Sequence, residues 1–274
     1  MLNNSLKFKT IREISNLIKN KKISSQEVTK YFLKRLSDYG YKYNAIVTGA
    51  STGLGKHISI KLSENNFNLI LISRNNKKLK IVEDLINKRN GKCSIISADI
   101  SKQSEIKKIS SKINKFSTID VLVNNAGIGI FNKIEDVSIS EWDKQLNTNL
   151  RGSFLMTKIV VDKMIKQKTG KIIFINSVAG LQPYPFSSAY VASKYGLRGF
   201  SSSLREELRE HNIKVISIHP GAIDTPFWKN VKGNFPREDM LSSEDVATSI
   251  VNTIVAKNDI VHEEVVIRRT AGDI

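Results

Sequence analysis

Short, continuously apolar segments alternate with helix-like segments from residue 44 to the end of the chain. Apolar runs lie at 44–48, 68–72, 93–97, 121–123, 171–175, 214–218 and 264–267, and predicted helices lie between them at 53–65, 75–89, 102–115, 140–166, 189–210 and 243–256. Because these runs are apolar throughout rather than at every second residue, both faces of their sheet must be covered. The pattern predicts an α/β domain in which helices flank a parallel sheet.

A glycine-rich segment, Thr48-Gly49-Ala50-Ser51-Thr52-Gly53-Leu54-Gly55, follows the first of these strands. Glycines at such a strand-to-helix turn let the backbone approach a pyrophosphate, and the helix N-terminus offers free N–H groups and a positive dipole end. The spacing is Gly-x-x-x-Gly-x-Gly, which differs from the common Gly-x-Gly-x-x-Gly dinucleotide fingerprint. An ordinary tight turn would not need three glycines, so the segment predicts a dinucleotide-binding turn.

The end of the second strand is where such a domain contacts the adenosine ribose of its cofactor. An acidic residue at this point binds the 2′-hydroxyl and selects NAD. This chain has Ser73-Arg74 instead, and a guanidinium suits a 2′-phosphate through charge-assisted hydrogen bonds. The sequence therefore favours NADP (NADPH) over NAD, although an ordinary exposed loop arginine remains the alternative interpretation of Arg74.

Tyr190 and Lys194 stand four residues apart in Tyr190-Val191-Ala192-Ser193-Lys194, and Ser177 lies thirteen residues upstream of Tyr190 at the end of an apolar run. On a helix, a spacing of four places the phenol and the ammonium on one face. A fixed positive charge favours the phenolate, so we expect the Tyr190 pKa to fall from about 10 toward neutrality. Such a tyrosine can exchange a proton with an alcohol or a carbonyl. Alone, the pair also fits a surface helix that carries it by chance.

Taken together and in order, the motifs resemble the short-chain dehydrogenase/reductase family in its standard-length branch. The motifs are the glycine turn at 48–55, Asn124-Asn125-Ala126-Gly127, Ser177, Tyr190-x-x-x-Lys194 and Pro220-Gly221. The resemblance covers residues 43–274 and implies one doubly wound, Rossmann-type domain with a seven-stranded parallel sheet. It also implies an enzyme that moves a hydride between a nicotinamide cofactor and an alcohol or carbonyl.

The resemblance assigns roles by position. Ser177 would polarise the substrate oxygen, Tyr190 would be the general acid or base, and Lys194 would lower the Tyr190 pKa and bind the nicotinamide ribose. Asn149 matches a helix asparagine that holds a proton-relay water. The implied cofactor residues are Gly49, Ser51, Thr52, Gly53, Leu54, Gly55, Arg74, Asp99 at the adenine, Asn125, Ala126, Gly127, Tyr190, Lys194, Pro220, Gly221 and Thr225 near the carboxamide, with Asn124 in the cofactor wall.

Composition and the chain termini narrow the functional classes. The chain has 274 residues, 40% of them hydrophobic, which is enough for a large core. It lacks an apolar run long enough for a transmembrane helix and lacks the apolar region of a signal peptide. One cysteine, Cys93, excludes an internal disulfide and argues against a cysteine metal cluster. We therefore expect a cytoplasmic protein without a metal or a membrane partner.

The net charge of +17 does not by itself predict a nucleic-acid partner. The lysines are spread along the whole chain, and no basic block interleaved with aromatic residues is present. We therefore expect a small-molecule carbonyl or alcohol as the substrate and no nucleic acid. Predicted helices 140–166 and 189–210 match those that pair between subunits in the family, which implies a homodimer or homotetramer.

Two segments, 181–186 and 222–240, should form the substrate wall. The second contains Phe227, Trp228 and Phe235, with Gly233 as a candidate hinge. A lid rich in aromatic residues predicts an apolar or partly aromatic carbonyl substrate. His219 precedes Pro220 without a partner set for metal or triad chemistry, so no functional role is predicted for it.

Residues 1–42 form a predicted helical extension in front of the domain at 43–274. Amphipathic helices are predicted at 10–20 and 25–38. Residues 1–44 resemble the start of amidase signature enzymes but carry none of their catalytic residues, so we expect no amidase activity. This segment has ten basic and three acidic side chains. The alternative function is therefore a nucleotide-binding module without turnover whose basic helices engage RNA or an acidic partner.

Overall fold

The computed structural model describes residues 6, 9–39, 43–231, 236–256 and 259–272. The chain divides into two compact units, Met1–Lys42 and Tyr43–Ile274. The first unit contains α1 (Ile11–Lys19) and α2 (Ser25–Tyr39). Thr10 and Glu13 hydrogen-bond reciprocally at the start of α1, and this capping box satisfies backbone N–H groups that the first helical turn leaves free.

The second unit is built on a seven-stranded parallel sheet. Its strands are β1 (Asn44–Thr48), β2 (Asn68–Ser73), β3 (Lys92–Ser97), β4 (Val121–Asn124), β5 (Gly170–Ile175) and β6 (Ile213–Pro220); β7 (Ile223–Asp224) and β8 (Leu241–Ser242) form a separate pair, and β9 (Glu264–Ile267) completes the sheet. The strand order is β3-β2-β1-β4-β5-β6-β9, and every neighbouring pair is parallel. The predicted doubly wound fold is confirmed.

Helices cover both faces of this sheet. They are α3 (Gly53–Glu64), α4 (Asn76–Asn87), α5 (Gln103–Ile113), α6 (Ile139–Leu146), α7 (Gly152–Gln167), α8 (Ser188–Leu208) and α9 (Ser243–Val255). Apolar residues of α3, α4 and α9 share one buried core, and those of α5, α7 and α8 share the other. Ala45 and Val47 point into the first core and Ile46 into the second, which explains why β1 is apolar at consecutive positions.

The predicted helix at 140–166 is present, and it contains a π-helical turn that the sequence pattern does not indicate. The chain forms α6, then a five-residue π-helical turn at Asn147–Arg151, and then α7. Within this turn, the Asn149 side chain accepts a hydrogen bond from Ile128 N (2.8 Å) and donates one to Ile128 O (2.9 Å). These bonds fix Asn149 against the loop after β4, and such local widening of a helix often accompanies a functional site.

The order in which strands are added to the sheet reverses between β1 and β4. These two strands are neighbours in the sheet although β2 and β3 lie between them in sequence. Thr48, at the end of β1, is fully buried and joins the two strand ends. Its hydroxyl accepts hydrogen bonds from the backbone N–H groups of Asn125 and Ala126, both at 3.0 Å. It donates to Val123 O at 3.3 Å. Ligands in open α/β sheets bind at such a reversal point.

Replacing Thr48 with valine keeps the side-chain shape and removes the hydroxyl. We expect the free energy of unfolding to fall by about 2 kcal/mol, because the Ala126 N–H loses its acceptor inside the protein. Urea unfolding measures the change. Thr248→Val is the control: this exposed α9 hydroxyl donates to Glu244 O at 3.0 Å, and its loss should change stability by less than ~0.5 kcal/mol. Equal losses in the two variants would contradict the structural role of Thr48.

Candidate active site

A cavity of about 1090 Å³ lies at the carboxyl ends of the strands. It runs from the glycine turn after β1 to the start of α8. The predicted site residues that line it are Gly49, Ser51, Thr52, Gly53, Leu54, Gly55, Arg74, Asp99, Asn125, Ala126, Gly127, Ser177, Tyr190, Lys194, Pro220, Gly221 and Thr225. Asn149 is buried behind the wall, and Asn124 donates a hydrogen bond to Thr157 Oγ1 (3.2 Å) instead of facing the cavity.

Glycines let the turn after β1 pack directly against the loop after β4. Gly49 has φ +65°, and a Cβ at this position would lie 2.8 Å from Asn125 Nδ2. A Cβ at Gly55 would lie 2.4 Å from Asn125 Nδ2 and from Gly49 O. Thr52 begins α3 without a side-chain cap, so the first N–H groups of that helix keep their hydrogen-bonding capacity. This turn beside a positive helix end fits a pyrophosphate.

Basic and hydroxyl side chains surround the cavity beyond β2. Ser51 and Ser73 are hydrogen-bonded through their hydroxyls at 2.8 Å, and Arg74 and Lys78 lie beside them in the lining. Among the residues that the structure describes, the exposed Arg74 guanidinium forms no salt bridge. This end of the cavity therefore offers two positive charges and two hydroxyl groups to an anionic ligand.

Ser177, Tyr190 and Lys194 meet at the other end of the cavity. Ser177 follows β5, and its Oγ accepts a hydrogen bond from Ala179 N at 3.1 Å. The Ser177 hydroxyl lies near enough to the Tyr190 phenol to lower the pKa of Tyr190, against the effect of burial. Lys194 Nζ donates to Ile175 O at 2.9 Å and lies 5.7 Å from the centre of the Tyr190 ring. The helical spacing of four thus places the phenol and the ammonium side by side, as the sequence predicts.

The predicted fall in the Tyr190 pKa is wrong, because the environment of this side chain raises its pKa. Burial raises the pKa of Tyr190 to about 12, although the Ser177 hydroxyl acts in the opposite direction. Burial also lowers the pKa of Lys194 to about 8, because a low-dielectric surrounding disfavours the ammonium. The two side chains lie close together as predicted, but burial is the largest influence on both pKa values. At neutral pH, Tyr190 is a protonated phenol that can donate its proton.

Asn149 is connected to the same helix as Tyr190. Its Nδ2 donates to Ser193 Oγ at 2.9 Å, and the Ser193 hydroxyl donates to Tyr190 O at 2.7 Å. Both Asn149 and Ser193 are buried. The π-helical turn therefore stabilises the first turns of α8, where Tyr190 and Lys194 lie. The sequence analysis did not identify Ser193, although it lies inside the Tyr190–Lys194 motif.

Aromatic side chains form the substrate end of the cavity. Phe131 packs edge-on against Tyr190 with a centroid distance of 5.4 Å, and it stacks near Trp228 at 6.3 Å. Phe227 lies 5.9 Å from Tyr190. The sequence analysis identified Phe227 and Trp228 but missed Phe131; its position in the loop after β4, at the carboxyl end of the sheet, was the available signal. The predicted Phe235 and the candidate hinge Gly233 lie outside the described residues.

Other predicted features concern metals, thiols and membranes. Within the described part of the chain, no group of three or more His, Cys, Asp or Glu side chains is placed to hold a metal ion. Burial raises the pKa of the Cys93 thiol to about 11, so this thiol is largely protonated and weakly nucleophilic at neutral pH. No described helix has both the length and the apolar character needed to cross a membrane.

The sequence and the fold are similar to those of known proteins over most of the chain. The sequence is 32% identical over 241 residues to sepiapterin reductase of Chlorobaculum tepidum, which covers 85% of this chain and 98% of that protein. It is 36% identical over 199 residues to a 3-oxoacyl-[acyl-carrier-protein] reductase of Chlamydia muridarum, with 71% and 79% of the two chains covered. A metagenomic short-chain oxidoreductase solved in complex with NADP superposes with a TM-score of 0.74 at 32% identity, over 83% of this chain and 97% of that one.

The family itself is decided by the match over the domain that contains the cavity. The family model described as short chain dehydrogenase matches residues 43–234, which include the glycine turn, Ser177, Tyr190 and Lys194. The chain belongs to the short-chain dehydrogenase/reductase family and is an NAD(P)-dependent oxidoreductase.

Proposed function

We propose that the protein reduces a carbonyl compound to an alcohol with NADPH, or catalyses the reverse reaction. The observation that carries the proposal is the single cavity that joins the glycine turn and Arg74 at one end to Ser177 and Tyr190 at the other. A binding module would need the first end but not the second. The structural relative in complex with NADP supports the same choice of cofactor.

Backbone N–H groups and basic side chains would hold the cofactor. The N–H groups at the start of α3 would bind its pyrophosphate beside Gly49 and Gly55, which line the cavity. Arg74 and Lys78 would bind a 2′-phosphate. Asp99, in the lining on the same side of the cavity, would contact the adenine. When bound, the reduced nicotinamide supplies a hydride to the carbonyl carbon.

The chain's own residues would stabilise and protonate the substrate oxygen. As the carbonyl carbon gains a hydride, negative charge grows on its oxygen. The hydroxyls of Ser177 and Tyr190 would donate hydrogen bonds to that oxygen, and Tyr190 would transfer its proton to complete the alcohol. The high Tyr190 pKa keeps the phenol protonated before the reaction. Lys194, held by Ile175 O, would then stabilise the tyrosinate that proton transfer leaves behind.

We propose that the substrate carries a planar, apolar or aromatic group next to its carbonyl. Phe131, Phe227 and Trp228 line the cavity around Tyr190 and offer ring faces and edges for such a group. The relative named sepiapterin reductase is consistent with a ring-bearing substrate, whereas the 3-oxoacyl reductase relative favours a thioester. Acetophenone, cyclohexanone and acetoacetyl-coenzyme A distinguish these classes, and we expect acetophenone to have the highest kcat/KM.

Tyr190→Phe keeps the ring and removes the proton donor. We expect kcat for ketone reduction to fall by about 10²–10⁴-fold, with little change in NADPH affinity, because general acid catalysis contributes on that order. The decrease in NADPH absorbance measures turnover, and fluorescence titration measures binding. Tyr43→Phe is the control, since Tyr43 is an exposed tyrosine that precedes β1 and does not line the cavity. Turnover near the wild-type value in Tyr190→Phe would sink the assignment.

Arg74→Gln should weaken NADPH binding by about 10- to 100-fold and leave NADH binding nearly unchanged, because one charged hydrogen-bonding group on a phosphate is worth ~1.5–3 kcal/mol. Arg74→Asp should reverse the preference in favour of NADH. Lys77→Gln is the charge-matched control, since Lys77 lies nearby on α4 but does not line the cavity. A wild-type protein that uses NADH as well as NADPH would contradict the predicted preference.

The first unit, residues 1–42, is proposed to be dispensable for catalysis. Every side chain assigned here to cofactor or substrate belongs to the second unit. Deleting residues 1–42 should leave a folded reductase with kcat within about twofold of the full chain. Activity assays and circular dichroism on both proteins test this, and loss of soluble protein would show that the two units depend on each other. RNA binding by the full chain without any turnover would favour the alternative of a non-enzymatic module.

We propose that the enzyme forms a homodimer or homotetramer in which α7 and α8 of one subunit pair with those of another. Phe154 on α7 and Tyr195 on α8 keep 43% and 41% of their surface exposed. Large apolar side chains at these positions are suited to burial against a second copy. Sedimentation equilibrium of the full chain measures the assembly, and a monomer at micromolar concentration would contradict it.

A further inference from the structure

His219 contacts the backbone of Ser177 from the opposite side of the cavity wall. It lies near the end of β6, next to Pro220, and its side chain is fully buried. Its Nδ1 lies 3.1 Å from Ser177 O, within hydrogen-bond distance. A carbonyl oxygen can only accept a hydrogen bond, so Nδ1 must carry the proton. No other part of the proposed mechanism uses this histidine.

Ser177 accepts three hydrogen bonds, two at its carbonyl oxygen and one at its hydroxyl. Its carbonyl oxygen accepts from Gly180 N at 2.9 Å in addition to His219 Nδ1. Its Oγ accepts from Ala179 N at 3.1 Å. The two donors to the carbonyl fix the orientation of the peptide plane that follows Ser177. Because Ala179 lies beyond that plane, its N–H reaches Oγ only while the plane keeps this orientation.

The other side of the imidazole faces a charged pair. His219 Nε2 has no hydrogen-bond partner within the described residues and lies 3.9 Å from Glu264 Oε1 on β9. Glu264 is held by two hydrogen bonds from the guanidinium of Arg198 on α8, at 2.9 and 3.0 Å. Burial lowers the pKa of His219, so the ring is predominantly neutral at pH 7 and above. The charged groups that act on it are Glu264, Arg198 and Lys194.

We propose that His219 is a positioning residue for catalysis, whose neutral Nδ1–H holds the Ser177 carbonyl and thereby fixes the Ser177 hydroxyl beside Tyr190. This inference rests on the proposed role of Ser177 at the substrate oxygen. The contact joins β6 to the end of β5. The Glu264–Arg198 pair lies on the other side of the ring and separately joins β9 to α8, which carries Tyr190.

Two variants of nearly equal shape separate positioning from packing. His219→Asn retains a side-chain N–H close to the position of Nδ1, whereas His219→Leu has the same branching without any donor. We expect kcat to fall about 10-fold or more in the leucine variant, since a misplaced catalytic group loses up to ~100-fold. The asparagine variant should stay within about threefold of wild type. Both should bind NADPH with unchanged affinity, because the cofactor contacts assigned above are intact.

Turnover is measured with NADPH and whichever of acetophenone, cyclohexanone and acetoacetyl-coenzyme A the wild type reduces fastest. Equal kcat values in the leucine and asparagine variants would overturn the positioning role. A wild type that reduces none of the three compounds counts against the proposed function instead, so the two failures are distinguishable.

A second measurement determines the His219 tautomer in the wild-type protein and needs no variant of His219 itself. Nitrogen-15 NMR of the histidine side chains reports which ring nitrogen carries the proton, and there are four histidines in the chain. Single replacements of the other three, His57, His211 and His262, with glutamine assign the His219 signal by elimination. At pH 7.5 we expect the Nδ1-protonated neutral form. A proton on Nε2 alone would exclude the hydrogen bond to Ser177 and overturn the proposal.

Discussion

The site depends on the hydroxyl of Thr48, which joins the ends of two strands that are neighbours in space and far apart in sequence. It binds the N–H groups of Asn125 and Ala126, while Asn125 Nδ2 donates to Thr48 O at 2.8 Å. The glycine turn after β1 and the loop after β4 are therefore held together at the point where the sheet reverses its order. Both joined segments line the cavity, so this connection fixes the glycine turn relative to Asn125, Ala126 and Gly127.

At the end of the cavity that contains Tyr190 and Lys194, burial determines which protonation states are favoured. Tyr190 and Lys194 are close enough to interact, yet desolvation moves each pKa in the direction that removes its charge. A buried ion pair is formed only when attraction exceeds this penalty. In the direction of carbonyl reduction a neutral phenol is the useful form, because it is the proton donor. In the proposed mechanism Lys194 would act after proton transfer, when the ammonium would stabilise the negative tyrosine oxygen.

Much of the fold could be predicted because the signals are local. Continuous apolar strands specify a sheet that is covered on both faces, and three glycines after β1 specify close backbone approach. The π-helical turn within the helix at 140–166 could not be predicted, because residues 147–151 keep a helical pattern and the turn is accompanied by the contact of Asn149 with Ile128. The His219–Ser177 contact could not be predicted either, because only tertiary packing brings these two residues together. The Tyr190 pKa needed burial, which spacing does not reveal.

In the proposed reaction the cavity brings a nicotinamide and a carbonyl together beside Tyr190. The most direct test is the transfer of deuterium from NADPH labelled at one of the two C4 positions to a ketone, followed by mass spectrometry and NMR of the alcohol. One cavity with one fixed cofactor orientation predicts that deuterium appears on the carbinol carbon from one labelled position and not from the other. Binding of labelled NADPH without any deuterium in the product, for all three probe compounds, would contradict the account.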